Sequence, residues 1–600
     1  MDVLEPQRYY RDALAKAQDE ESRLKRSDRL YVAVKLALFL LLVVLSATVV
    51  RFAPHDAWML VVVLAVLVAA FVLHERTLKR LARCEQRIRY YQQGVARMED
   101  RWAGSGQSGK EFLHDEHLYA RDLDVFGAGG LYELISIAKT SAGRETLAAW
   151  LMAPVRVNYI LERQEAVKEL APRYAFREQM ALAGDEMEAG IRSDQLVAWC
   201  EGEPAVAKWF AFLVAPVLGA AWVLGIVLAV MSVAHSVEFL VGTSVLNYSL
   251  MVFYGKRLFG DADAAESAAE ELPLLLAVME RMEQEVFSAP MLQKLQAGLT
   301  TDGARASQAL KRLNRGIQWL ESRHNMFVRV LDAFMFWTPV CLGFLDVWRS
   351  RHGKRVDAWL MAEGDMEALH ALACYAWEHP DNAYPEFVTA GPLFAAEGLR
   401  HPLLPAKKAV TNDVRLDREQ QLIMLSGPNM AGKSTLLRAI GLNAVLAQAG
   451  APVCATSLRM SELLVAASIC VLDSLQGGLS RFYSEIQRLK QMQDLAEHGP
   501  RVLFLLDELL SGTNSKDRRT GTEAVVRTLL KHGAVGIVTT HDLALTEIVG
   551  RLDGKAANYH FEDHYIDGEL VFDYRLVPGV AQTTNALKLM RAVGLDVEAG

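Results

Sequence analysis

The feature that most constrains this chain is a glycine-rich run between a short apolar segment and a helical pattern. Residues 421–426 predict a strand and residues 436–448 predict a helix. The run between them reads Gly427, Pro428, Asn429, Met430, Ala431, Gly432, Lys433, Ser434 and Thr435. This order is typical of a phosphate-binding loop, because backbone N–H groups and the helix dipole then converge on an anion. The sequence therefore predicts a nucleotide-binding α/β domain.

Two further apolar segments are predicted to be strands that end at polar side chains. Residues 502–506 are followed by Asp507 and Glu508, and residues 534–540 are followed by His541. Because neighbouring parallel strands bring their carboxyl ends to one edge of a sheet, these side chains are expected beside the glycine-rich loop.

Each polar side chain has an expected role in ATP hydrolysis. Lys433 would reach the β and γ phosphates, and Ser434 and Asp507 would hold Mg²⁺. Glu508 would polarise the attacking water as general base, and His541 would sense the γ-phosphate. The sequence thus predicts an ATP hydrolase that uses Mg²⁺.

Long uncharged segments predict helices that cross a membrane. Residues 30–50 contain only Lys35 as a charge and residues 57–73 contain none, so together they predict a helical hairpin. Residues 209–234 and 239–255 predict a second pair, although the polar second arm leaves a soluble or re-entrant structure open. The shorter run 333–345, with Pro339, fits a core helix better than a span.

Basic residues predict which side of the membrane the soluble parts occupy. They flank both hairpins, whereas the loop between the arms of the first holds only Arg51. The flanking residues are Lys25, Arg26, Arg29, Arg76, Lys79, Arg80, Arg83, Lys208, Lys256 and Arg257. Both flanks are therefore expected in the cytoplasm, which predicts a multi-pass protein of the cytoplasmic membrane with its nucleotide-binding domain inside the cell. Six scattered cysteines without paired spacing agree with a reducing compartment.

Residues 427–455 resemble the MutS family, whose nucleotide loop contains Gly-Pro-Asn-Met before its glycine and lysine. Residues 480–485 resemble that family's signature segment, and residues 506–514 resemble its Walker B strand and the loop that follows. Residues 540–541 resemble its Thr-His strand end. Residues 400–402 resemble the start of its ATPase domain, and residues 140–164 resemble the start of its helical core.

The resemblance implies a homodimer in which Ser480 of one subunit approaches the γ-phosphate held by the other. From the sequence alone, Ser480 also fits a helix cap. The chain lacks a Phe-x-Glu mismatch-reading segment at its amino end, and its first 110 residues offer an anchor instead. We therefore expect a membrane-anchored variant without the family's mismatch-recognition domain.

The expected fold is an α/β P-loop ATPase domain with a parallel sheet of the MutS and ABC type, preceded by a mostly α-helical core and transmembrane helices. The expected segments are an anchor and charged helix at 1–103, with its hairpin at about 30–73, the first part of a helical core at 113–207, a second hairpin at 208–256, a helical lever region at 257–385 and the ATPase domain at 390–600.

Three functions remain open at this point. The first is a membrane-anchored ATPase that couples ATP to binding mismatched, branched or damaged DNA, in repair or recombination. The second is an ATPase that acts on a membrane protein partner and has lost DNA binding. The third, a transporter resembling an ABC half, is weakened because residues 480–485 lack Leu-Ser-Gly-Gly-Gln. The net charge of -8 means that DNA binding would require a local basic face.

Overall fold

The computed structural model describes residues 5–52, 58–114, 116–183, 193–270, 272–301, 304–428, 431–469, 481–566 and 569–581. They fall into two compact units. One unit comprises Met1–Ser105 and Tyr174–Asp185, and the other comprises Gly106–Arg173 and Glu186–Gly600. The predicted combination of a helical amino-terminal region with a mixed helix-and-sheet carboxyl-terminal region is confirmed.

Helices form most of the structure before residue 380. In chain order they are α1 (Pro6–Phe52), α2 (Trp58–Met98), α3 (Leu131–Ile135), α4 (Ser141–Met152), α5 (Val157–Leu170), α6 (Tyr174–Ala183), α7 (Ser193–Glu201), α8 (Ala215–Val230), α9 (Ser236–Ala268), α10 (Leu272–Gln284), α11 (Pro290–Gly298), α12 (Ala306–Glu321), α13 (Met326–Met335) and α14 (Trp337–Glu378). A π-helical turn, Phe210–Val214, leads into α8. A two-residue hairpin, β1 (Thr300–Thr301) and β2 (Ala304–Arg305), precedes α12.

In the first unit, α1 and α2 form an antiparallel pair that extends beyond the predicted hairpin. The charged segment is a continuation of α2, because neither glycine nor proline interrupts residues 74–93. Near the far end of the pair, a Cβ added to Gly94 would lie 2.6 Å from the ring of Tyr10, so only glycine permits this approach. Nearer the apolar half, the ring nitrogens of His74 form hydrogen bonds with Asp28 and Lys35, at 2.7 and 2.6 Å.

Within the part of the chain that the structure describes, four helical segments are long and apolar enough to cross a membrane. They are Pro6–Val49, Trp58–Met98, Phe210–Val230 and Ser236–Ala268. Most of their apolar side chains point outward; Val245 on α9, for example, is 60% exposed. Such a surface is unusual for a protein that meets only water. One further pair, α13 with α14, is bent by 82° between its two helices and passes the same test of length and composition only as a pair.

The carboxyl-terminal region alternates strands and helices. In chain order it contains β3 (Glu386–Phe387), β4 (Phe394–Leu399), β5 (Asn412–Leu416), β6 (Leu422–Ser426), α15 (Lys433–Ala449), β7 (Ser457–Met460), β8 (Leu464–Ser468), α16 (Arg481–His498), β9 (Val502–Leu506), α17 (Ser515–Lys531), β10 (Val535–Thr540), α18 (Leu543–Thr546), β11 (Ala556–His560), β12 (Asp563–Ile566), β13 (Glu569–Phe572) and β14 (Val577–Pro578). Besides the larger sheet, these strands form a four-stranded sheet in the order β3-β7-β4-β5 and the hairpin β12-β13.

The larger sheet has the order β14-β11-β6-β10-β9-β8, and its pairs from β11 to β8 are parallel. Every residue of β6, β9 and β10 is buried, which is typical of parallel strands covered on both faces. Ser426 pairs with Thr540, and Leu506 pairs with Val538. The register therefore brings the carboxyl ends of β6, β10 and β9 to one edge.

Candidate active site

Two glycines shape the loop that follows β6. Gly427 has a φ of 152°, and a Cβ there would lie 3.3 Å from the carbonyl oxygen of Phe561. Gly432 has a φ of 92°, and a Cβ there would lie 2.9 Å from the ring of Tyr574. Residues other than glycine rarely adopt this conformation, so both positions require glycine to bring the backbone close to its neighbours.

Lys433 is the first residue of α15, and its side chain turns back over the loop. Its Nζ donates to the carbonyl oxygens of Gly427 and Pro428, at 2.8 and 3.0 Å. The side chain is only 5% exposed. Burial lowers the pKa of Lys433, whereas the nearby carboxylates of Glu508 and Asp507 favour the charged form. The ammonium group is therefore held between the loop and the two acids.

Asp507 is fixed from two sides at the end of β9. Ser434 Oγ donates to Asp507 Oδ2 at 2.6 Å, and Thr539 Oγ1 donates to the other carboxylate oxygen. The same threonine hydroxyl accepts from the backbone N–H of Glu508 at 3.2 Å. Thr539, the penultimate residue of β10, thus aligns both acids. Sequence reasoning missed it, because only the adjacency of β10 and β9 reveals its role.

Glu508 lies between two basic side chains. Its Oε1 is 3.2 Å from Nδ1 of His541 and 3.9 Å from Nζ of Lys433. Its φ of 46° is uncommon for a residue with a side chain, and such conformations concentrate at functional sites. These two side chains hold the Glu508 carboxylate at the edge of the sheet, next to the glycine-rich loop.

A cavity of about 740 Å³ opens beside these groups. Its wall includes Gly432, Lys433, Ser434, Thr435, Asp507 and Glu508, together with Arg400, His401, Lys408, Asn412 and Tyr574. Asn412 Nδ2 donates to the carbonyl oxygen of Tyr574 at 3.0 Å, and Leu576 N–H donates back to Asn412 Oδ1 at 2.7 Å. Burial lowers the pKa of His401 to about 4, so this imidazole is neutral near pH 7.

The structure brings together five of the side chains that the sequence singled out: Lys433, Ser434, Asp507, Glu508 and His541. Gly432 and Thr435 line the same cavity, and Ala431 is buried beside them. Three predicted residues lie outside the described part of the chain: Asn429, Met430 and Ser480. Tyr574 and Asn412 were missed, because they come from separate segments with no motif of their own.

Comparison with known proteins places this site in a recognised domain. Residues 423–598 match the family model of MutS domain V. The DNA mismatch repair protein MutS of Methanosarcina mazei is 32% identical over 254 residues, covering 41% of this chain and 28% of the relative. Its counterpart in Nitratidesulfovibrio vulgaris strain DP4 is 33% identical over 220 residues, covering 35% and 24%.

A second kind of relative gives the same result. Endonuclease MutS2 of Thermus thermophilus is 35% identical over 199 residues, covering 33% of this chain and 26% of that protein. The matched part spans about a quarter of the length of each of these relatives. Taken with the glycine-rich loop and the two acids at the adjoining strand end, these matches show that the chain carries a MutS domain V at residues 423–598.

Proposed function

We propose that this protein is a membrane-anchored ATPase of the MutS type that couples ATP hydrolysis to DNA binding. The observation that supports this most is the cluster at the carboxyl edge of the large sheet. There, Lys433, Ser434, Asp507 and Glu508 line one cavity beside a glycine loop, and His541 contacts Glu508 from outside its wall. Phosphoryl transfer depends mainly on such positioning and on charge stabilisation.

The donor set suits magnesium bound together with phosphate. Among the described residues, no group of three or more His, Cys, Asp or Glu side chains forms a self-sufficient metal site. One hydroxyl and one carboxylate, Ser434 and Asp507, already lie 2.6 Å apart. Mg²⁺ usually takes only one or two protein ligands and completes its shell with water and phosphate oxygens. Bound there, Mg²⁺ would neutralise phosphate charge, while Thr539 holds Asp507 in place.

The remaining side chains would act on the triphosphate and on water. Lys433, close to the helix N-terminus, would bind phosphate oxygens. Glu508 would accept a proton from the attacking water, and His541 would orient that carboxylate and contact the γ-phosphate. Tyr574 and the apolar part of the cavity wall offer a face for the adenine ring.

The resemblance adds two proposals about assembly. The family arrangement supports a homodimer in which Ser480 completes the site of the partner subunit. Specific ATPase activity should then rise with protein concentration as dimers form. A rate per subunit that stays constant across the dissociation range would exclude sites shared between subunits.

Membrane localisation is proposed from the four long apolar helices, whose outward side chains match a hydrocarbon environment. The basic residues that flank them favour the cytoplasmic membrane, with the ATPase domain in the cytoplasm. DNA binding is proposed from the relatives named as DNA mismatch repair proteins, whose matches cover 41% and 35% of this chain. Mismatched, branched and damaged DNA are the candidate ligands.

A second candidate keeps the ATPase and replaces DNA with a membrane protein. It is favoured by the net charge of -8, which opposes binding to a polyanion, and by the two apolar helices α8 and α9 in the same unit as the active site.

One experiment distinguishes the two candidates. The purified protein in detergent is assayed for ATP turnover without DNA and with matched duplex, mismatched duplex or a four-way junction. Lys433→Ala serves as the blank for contaminating activity. Stimulation by one DNA structure, together with salt-sensitive binding, supports the DNA-coupled function. ATP turnover that no DNA changes, without measurable binding, supports the membrane protein partner instead.

A further inference from the structure

The junction between α13 and α14 carries an apolar surface that the ATPase site does not use. α13 ends at Met335. The next residue, Phe336, has a φ of 55° and a ψ of 42°, a left-handed conformation that breaks the helix. The next helix leaves at 82°. Between Asn325 and Leu345 the only charged residues are Arg329 and Asp332.

The bend lies beside the middle of the candidate span Phe210–Val230 and of the apolar segment 239–255 on α9. A Cβ added to Gly219 of α8 would lie 3.2 Å from the carbonyl oxygen of Met335. On α9, Asn247 Nδ2 donates to the carbonyl oxygen of Phe334 at 2.8 Å. Gly219 is ten residues beyond Trp209, or about 15 Å along a helix, which is half of a hydrocarbon core of about 30 Å. The two contacts agree on the same depth.

The first turns of α14 then run back towards the end at which the α8 helix begins. Gly343 packs so closely on the helical turn before α8 that an added Cβ would lie 2.4 Å from Cβ of Ala211. One turn further, Asp346 Oδ2 accepts from the backbone N–H of Val206 at 3.1 Å. The chain therefore descends along α13, turns at mid-depth and returns along α14 to the same side.

Several polar groups at the bend are hydrogen-bonded within the protein, although the buried Oδ1 of Asn247 has no partner among the described residues. Asp332 accepts from both the backbone N–H and the hydroxyl of Thr338, at 2.8 and 2.6 Å. Asn247, which is fully buried, also donates to the carbonyl oxygen of Leu218 at 3.3 Å. An unpaired backbone group in hydrocarbon costs several kcal/mol, so non-helical backbone is tolerated at that depth only when it is covered in this way.

The outer face of α13 is apolar and open, and Phe327 is 80% exposed. The other exposed apolar residues of this face are Met326, Val330, Leu331 and Met335. Arg329 lies only one turn from the start of α13, from where its long side chain can reach phosphate headgroups. At the start of the segment, Arg323 is paired with Glu266 at 2.9 Å, so the charges gather where the segment would enter.

The start of α14 also lies beside the end of α12. Trp337 Nε1 donates to the carbonyl oxygen of Trp319 at 2.9 Å, joining the start of α14 to the end of α12. Arg312, Arg315 and Trp319 are exposed on one face of α12, because they are spaced three and four residues apart.

We propose that residues 326–345 enter the bilayer as a re-entrant element, with the outer face of α13 against lipid acyl chains. The inference rests on the proposed membrane localisation of α8 and α9. It adds a fifth membrane element that enters and leaves on the cytoplasmic side and therefore changes no topology.

Site-directed fluorescence quenching tests this placement. Single substitutions Phe327→Cys and Val330→Cys are labelled with a bimane probe in the full chain, reconstituted in phosphatidylglycerol-containing vesicles. Val245→Cys on α9 is the control for lipid contact, and Lys531→Cys at the end of α17 is the control for water. The parent chain, whose described cysteines are all buried, gives the background. Each sample is quenched by brominated lipid and, separately, by aqueous iodide.

We expect the lipid-to-iodide quenching ratio at Phe327→Cys and Val330→Cys to fall within about twofold of that at Val245→Cys and far above that at Lys531→Cys. If Val245→Cys is quenched by lipid while the two α13 probes are quenched by iodide, the re-entrant element is wrong and the membrane anchor stands. If Val245→Cys itself is quenched by iodide, the anchor is wrong, and the re-entrant element falls with it.

Discussion

The large parallel sheet buries its apolar side chains, whereas the α8–α9 region points its large apolar side chains outward. In β6, β9 and β10 every residue is buried, and Phe504 has no exposed surface. In α8 and α9 the large apolar side chains point outward, whereas small or polar residues such as Gly219, Gly225 and Asn247 are buried. Similar apolar content therefore forms a buried core in one region and, in the other, an outward-facing surface that we propose lies in a membrane.

The largest expected effect tests the chemistry that the sheet supports. Glu508→Gln removes the proposed base while keeping the size of the side chain, so ATP hydrolysis should fall roughly 10²- to 10⁴-fold. ATP should still bind, because Lys433 and the glycine loop are unchanged. Single-turnover hydrolysis and filter retention of labelled ATP measure the two steps. Hydrolysis at the parent rate would show that Glu508 is not the base.

The contrast between buried and outward side chains gives a matched pair of stability measurements. Phe504→Ala should lower the free energy of unfolding of the sheet domain by about 3–5 kcal/mol, because it leaves a cavity in a fully buried strand. Val245→Ala on α9 should change the free energy of unfolding of the detergent-solubilised protein by less than about 1 kcal/mol. The reason is that the Val245 side chain packs on little protein. Chemical denaturation of each variant, with the folded fraction followed by ATP binding, compares the two losses of stability. Equal losses would contradict the proposed difference in environment.

A charge on the outward face sharpens the comparison. Val245→Arg should disfavour membrane insertion of α9 by about 2.5–3.5 kcal/mol, the cost of arginine near the centre of a spanning helix. The same change at Lys531, an exposed cation on α17, should have no effect on insertion. Because α1 and α2 would still anchor the chain, the inserted fraction of α9 is measured locally, by iodide quenching of a bimane probe at Val241→Cys, an exposed position one turn away. Insertion of Val245→Arg equal to the parent would argue that α9 lies in water.

The smallest expected effect concerns His401 in the wall of the cavity. Its pKa is lowered to about 4 by burial, from the ordinary value of 6.5. Between these two pH values the unfolded chain binds a proton at His401 and the folded domain does not. The contribution of His401 to the free energy of unfolding is therefore fully present above pH 6.5 and is lost as the pH falls towards 4. The loss should reach at most about 3 kcal/mol. Thermal unfolding from pH 7.5 to 4.5 measures it.

The same titration of His401→Gln, which has no titrating group at this position, serves as the reference. Its unfolding temperature should fall less steeply with acid than that of the parent. Parallel curves would mean that other groups cause the acid sensitivity and that His401 is not buried as described.

Local sequence signals predicted the individual elements of the active site well. Residues 502–506 form β9, and the predicted strands at 421–426 and 534–540 are β6 and β10 within one residue. These segments are short, apolar and ended by polar residues, so the apolar run and the residues that end it predict the same strand. The expected helix after the loop, α15, begins at Lys433 rather than Leu436, since the glycine at 432 already provides the left-handed start.

The roles of other residues depended on pairings that a linear sequence does not contain. Thr539 is unremarkable in sequence, yet it contacts both acids because β10 lies beside β9. Residues 333–345 were expected to form a core helix. The structure instead divides this stretch at Phe336, where Asn247, from a helix far away in sequence, covers a free carbonyl group.

The sequence by itself determined the phosphate-binding loop, the acids at the strand ends and the apolar lengths suited to a bilayer, because each depends on residues that are neighbours in the chain. Only the tertiary structure decided the strand order β6-β10-β9, the cavity wall at Tyr574 and the bend between α13 and α14. Those features arise where distant segments satisfy one another's hydrogen bonds and volumes, and such pairings have no local pattern.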